Sequence, residues 1–164
     1  MKFVLILTVF LLCVGIGVFY SSKFQKRKKF FDALISLADK LSLEINFSRE
    51  RLNVLIESFD ENHKKNLLKV CERYLDFLDK KSELTKEFLF EEAKVLKNDE
   101  KDLVFMFFKA LGRRDVENQT KELQGFVSRF SEVKTKCDAE QKKYGALSIK
   151  LGVVAGLFWA VIMF

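Results

Sequence analysis

Chemistry in this chain would have to come from one histidine, three cysteines and 23 carboxylates. His63 follows Asp60 by three residues in a polar stretch between helices. One acidic-x-x-His pair is half of what a di-iron helical bundle needs, since such a centre takes two pairs and further carboxylates. A solvated surface histidine accounts for the pair more simply. Cys13, Cys71 and Cys137 are odd in number and widely spaced. That argues against a disulfide framework or zinc site, and for small apolar residues in a reducing compartment. Asp76/Asp79 and Glu91/Glu92 read as solvated helix faces, and no glycine-rich phosphate loop is present. The eighteen phenylalanines, at helical spacing, read as core. The expectation is a protein that is not an enzyme, with no catalytic residue, metal or cofactor.

The informative charges are basic. Five of the seven residues from 23 to 29 are cationic, namely Lys23, Lys26, Arg27, Lys28 and Lys29, in a chain of formal charge +6. They follow Phe3 to Tyr20, eighteen residues without a charge, close to the roughly 20 a membrane span needs. A basic cluster at that place sets topology and touches anionic lipid; no nucleic-acid motif accompanies it. A cleaved signal peptide would need a basic start and a small-residue cleavage site. Lys2 is the only charge ahead of the run, no Ala-x-Ala site follows, and Leu12 precedes Cys13 where a lipobox wants a small residue. An uncleaved anchor is expected.

The second apolar run, Leu151 to Phe164, is fourteen residues, or about eighteen counted from Leu147, with Lys150 snorkelling to the interface. Lys142, Lys143 and Lys150 lie before it and no charged side chain follows. Both charge asymmetries place the middle of the chain in the cytoplasm and both termini outside. The expected organisation is an N-terminal anchor at 1–22, a cytoplasmic helical bundle at 23–146 and a second transmembrane segment at 147–164. Gly152, Gly156 and Ala160 recur at four-residue steps, a face on which another helix can approach closely. Its partner is either the first segment, with Gly15 and Gly17, or another protein.

The elements that hold these residues all read as helices. The chain has no proline, seven glycines and abundant Leu, Lys, Glu and Phe, a composition for an all-α fold. Phe30/Phe31, Leu34, Leu37/Ala38, Leu41 and Ile45 form one apolar stripe. Ser48 offers a cap for a second helix with Leu52, Leu55/Ile56 and Phe59, and Leu67/Leu68 to Leu78 mark a third. Thr85 caps a fourth reaching Leu96, and Asn98-Asp-Glu starts a fifth that is apolar on nearly every side, a candidate bundle centre. Gly112 stops that helix and Asp115 caps the last one. Its stripe runs through Leu123, Phe126/Val127, Phe130, Val133, Cys137, Tyr144, Leu147 and Leu151, one rod roughly 75 Å long into the membrane. The expected architecture is about six helices plus the first anchor.

Leu111-Gly-Arg-Arg-Asp115-Val-Glu-Asn-Gln119, a long charged helix, then Gly145-x-Leu147-x-x-x-Leu151-Gly152-x-x-x-Gly156-Leu157 resembles the stage III sporulation protein AB family. Leu43-Glu-Ile-Asn-Phe47 resembles that family's Glu-Ile-x-aromatic element. Arg114 stands where the family pattern often has serine, and Ala146, Ser148 and Ile149 where basic and aromatic residues are usual. The resemblance implies a helical domain similar to the F-type platform of type II secretion. It implies a membrane subunit of the channel between mother cell and forespore, in the mother-cell membrane facing the forespore. A secretion-type ATPase would be its cytoplasmic partner, and other membrane subunits its neighbours. Leu111, Gly112, Asp115 and Gln119, which match the pattern, become candidate partner-binding residues. A secretion or pilus platform outside sporulation and a membrane-bound helical sensor are the competing readings; the sensor requires a cavity with convergent polar groups.

Overall fold

In the computed structural model the backbone is described for residues 2–47, 52–80, 83–111 and 116–163, and side chains for all of these but 2–3, 44–47, 53, 80, 116–119 and 163. All regular structure among them is helical, as the composition requires. The elements are α1 (Lys2–Phe47), α2 (Leu52–Glu57), α3 (Glu61–Asn66), α4 (Val70–Lys80), α5 (Lys86–Leu89), α6 (Asn98–Ala110), α7 (Val116–Glu140), a π-helical turn (Gln141–Gly145) and α8 (Ala146–Met163). Two compact units result, one of 1–28 with 135–164 and one of 29–134.

The unit of 29–134 has an aromatic core. From α1 it takes Phe30, Phe31, Ala33, Leu34, Leu37, Ala38 and Leu41, all fully buried on one face. From α7 it takes Leu123, Phe126 and Phe130. Phe107 of α6 joins the two, its ring centroid 5.3 Å from Phe130 and 5.6 Å from Phe126, both edge-on. Such edge-to-face pairs add roughly 0.5–1.5 kcal/mol beyond the area they bury. Phe108 turns the other way and meets Tyr74 of α4 at 4.8 Å. The α6 helix begins at Asn98 as expected, with Glu100 accepting from the Lys97 N–H at 2.9 Å. It is less central than its sequence suggests, because Met106 is half exposed.

Three helix boundaries differ from the sequence reading. His63 is not between helices but inside α3, and Asp60 is that helix's cap: its carboxylate accepts from the Asn62 and His63 N–H groups and also meets His63 Nδ1 at 3.0 Å. The helix expected from Leu67 begins at Val70, because Leu68 and Lys69 take left-handed φ of 50° and 61°. That turn leaves Leu67, Val70 and Cys71 all buried, against about 1–2 kcal/mol for each non-glycine residue in this conformation. The helix capped by Thr85 stops at Leu89. Phe90, Ala93 and Leu96 are nevertheless buried, joined by single turns in which Ala93 N–H donates to the Phe90 carbonyl and Leu96 N–H to that of Ala93. A spacing of three suits such tight turns as well as an α-helix. The Ser48 cap and the side chain of Ile45 lie outside the described residues.

Candidate membrane-spanning hairpin

Among the described residues, two helices are long and apolar enough to cross a membrane, with spans drawn from 4–43 and 120–162. Within the unit that holds both termini they pack side by side and antiparallel. Gly156 meets the Phe10 ring, Gly152 the Cys13 carbonyl, Gly17 the Ser148 carbonyl and Gly145 the Ser21 hydroxyl, so α1 numbers rise as the partner's fall. A Cβ placed on Gly152 would stand 2.7 Å from the Cys13 oxygen, and one on Gly17 2.6 Å from that of Ser148. The two backbones are thus in direct contact, a distance only glycine permits. Large residues take the outer surface: Leu11, Ile16, Leu151 and Trp159 are all more than half exposed. In hydrocarbon, leucine gains nothing by turning inward, so packing and backbone contact decide which face is shared.

The last helix is not uniformly α, as the sequence reading had it. Its buried positions run through Leu123, Phe126, Phe130 and Cys137, and then fall on Gly145 and Gly156, while Tyr144, Leu147 and Leu151 are exposed. An unbroken α-helix would leave Gly145 roughly 80° round from Cys137. The wider turn at 141–145 takes up that angle and brings the glycines onto the packed face. The backbone stays helical on both sides, with Glu140 and Ala146 in right-handed α conformation.

Polar contacts close the hairpin where the apolar runs end. Phe24 stacks on Tyr144 at 6.2 Å. Arg27, 6% exposed, bonds through Nη1 to Glu140 Oε2 at 2.6 Å. Lys28 Nζ bonds to Asp138 Oδ1, and Lys142 reaches Asp138 Oδ2 at 2.9 Å from one turn on. Those two ammonium groups, Lys28 foremost, hold the Asp138 carboxyl down to about 2. The charge of the buried Arg27 is matched by its carboxylate partner, as burial of a guanidinium requires.

Of the basic cluster, Lys23, Lys26 and Lys29 remain exposed. Gly152 and Gly156 are on the shared face, and Ala160 is half-buried. Leu111 is buried at the end of α6, its N–H donating to the Phe107 carbonyl at 3.2 Å. Gly112 and Asp115 lie outside the described residues, as does the side chain of Gln119. The Arg27–Glu140 and Lys28–Asp138 pairs were missed from sequence; the signal was two acidic residues, 138 and 140, on the last helix ahead of its lysines. Cys71 is fully enclosed, which pushes its thiol up to about 12. Asp60 is held below the usual carboxylate range by its bonds to His63.

The stage III sporulation protein AB family model matches residues 2–164. The chain belongs to the stage III sporulation protein AB family. Family membership assigns it a role in stage III of sporulation and covers both apolar helices as well as the body. Neither the curated proteins nor the solved structures compared with the chain contain a match.

Proposed function

We propose that the chain is a non-enzymatic platform subunit of the membrane complex that links mother cell and forespore. In this reading it is a two-pass protein of the mother-cell membrane, with 23–146 in the cytoplasm and transmembrane segments at 1–22 and 147–164. Its role is mechanical: it passes the motion of a cytoplasmic secretion-type ATPase to other membrane subunits. The observation that carries the reading is the clasp of Arg27–Glu140 and Lys28–Asp138. It ties the two helices together where their apolar runs end, so a load on one reaches both spans. The charge asymmetry, with basic residues on the inner side of each apolar run, supports the orientation. The aromatic core around Phe107 and Phe130 suits a stiff body better than a ligand sensor.

Topology and partner are tested together in sporulating cells. A chain carrying Asn98→Cys, with its own cysteines replaced, is expected to escape an impermeant thiol reagent until the cells are lysed. The tagged chain is expected to retain the ATPase encoded beside it on purification in mild detergent. Ready labelling of intact cells would invert the topology, and purification without the ATPase would remove the coupling role.

A further inference from the structure

Lys136 apart, the cations of the membrane unit whose side chains are described fall into two sets. Arg27, Lys28 and Lys142 are engaged with Glu140 and Asp138. Lys23, Lys26, Lys143 and Lys150 are exposed, and among the described residues no carboxylate lies within ion-pair distance of them. Two of these sit on aromatic rings: Lys23 lies 4.8 Å from the Tyr20 centroid and 5.1 Å from that of Phe19, and Lys143 lies 5.2 Å from that of Tyr144. The Phe24–Tyr144 stack sets the two groups at one level of the hairpin. Tyrosine and lysine together at the end of an apolar run mark the headgroup layer.

Lys150 stands deeper. Its neighbours Ile149 and Gly152 abut Gly17 and Cys13, so its backbone is level with the uncharged run of α1. A charge there is tolerated only when the four-carbon stem carries the amine back to the headgroups. All four ammonium groups then converge on one layer, and the described residues of the hairpin supply them no counter-charge. We infer that this layer of the hairpin binds the phosphates of anionic phospholipids, of the phosphatidylglycerol and cardiolipin class, through Lys23, Lys26, Lys143 and Lys150. Arg27 and Lys28 hold the helices together and take no part. The inference rests on both helices spanning a bilayer, and on nothing else in the proposed function.

The test uses the full chain reconstituted in phosphatidylcholine with spin-labelled phosphatidylglycerol or spin-labelled phosphatidylcholine, reading the motionally restricted fraction of each. The wild type is expected to prefer the anionic label, by less at high salt, with no competition from soluble glycerol phosphate. The variant K23Q/K26Q/K143Q/K150Q is expected to lose that preference, and each single change to lower it about fivefold at most. The variant K65Q/K94Q/K109Q/K121Q removes as much charge from the other unit and is expected to keep it. Equal restriction of both labels by the wild type, or a preference that survives the first variant, overturns the inference. Absence of any restricted lipid would mean that the helices do not span, which overturns the proposed topology as well.

Discussion

At the scale of the residue, glycine decides the hairpin. Gly152 meets backbone, which cannot yield; Gly156 meets the Phe10 ring, which has rotamers to use; Gly15 has nothing within 4 Å. Leucine substitutions are therefore expected to rank in that order. Gly152→Leu should cost about 1–3 kcal/mol as overpacking, Gly156→Leu less, and Gly15→Leu nothing or a slight gain from helix propensity. Thermal unfolding in detergent, followed by circular dichroism, checks the ranking. Gly152 and Gly156 were legible because small residues four apart are a recognised packing signal. The part of Gly145 was not, since its place on the shared face depends on a wider turn that no residue type announces. The clasp was only half visible: the acidic residues 138 and 140 stand out ahead of the lysines, but Arg27 and Glu140 are 113 positions apart and no local spacing pairs them.

At the scale of the element, a pattern fixes a face more surely than it fixes backbone pitch. The stripe on α1 from Phe30 to Leu41 was read from spacing alone and is buried throughout. The same reasoning carried α5 seven residues too far, because burial at every third position is also what successive tight turns provide. It also ran the stripe of the last helix on through Tyr144, Leu147 and Leu151, which are exposed, while Gly145 and Gly156 take the packed face. The clasp between α1 and the last helix has a pH signature. Asp138 titrates near 3.8 in an unstructured chain and near 2 beside Lys28 and Lys142. A carboxylate with a lowered value stabilises the folded state above its unfolded value and loses that contribution as pH falls through the folded one. Hairpin stability is thus expected to hold from neutrality to about pH 5 and to decline between about 4 and 2. In Asp138→Asn that acid limb should flatten, as read from melting temperature against pH.

At the scale of the whole molecule, an all-helical chain with apolar runs at its two ends was fully legible, since absence of proline, helical periodicity and uncharged length are additive signals. Which parts pack as a unit was not. Grouping by membrane boundary gave 23–146 as a body, whereas packing gathers 29–134 and leaves the clasp residues with the spans. The difference follows from the physics of each boundary: hydropathy marks where lipid ends, and side-chain contact marks where helices part company. The most direct measurement is a disulfide between Ser21→Cys and Gly145→Cys in native membranes, with Cys13, Cys71 and Cys137 replaced. The Ser21 hydroxyl and a Cβ at Gly145 are 3.1 Å apart, so rapid bond formation within one chain is expected, and none for Ser21→Cys with Lys143→Cys. No bond for the first pair, or bonds only between chains, would mean that the two spans do not form this hairpin.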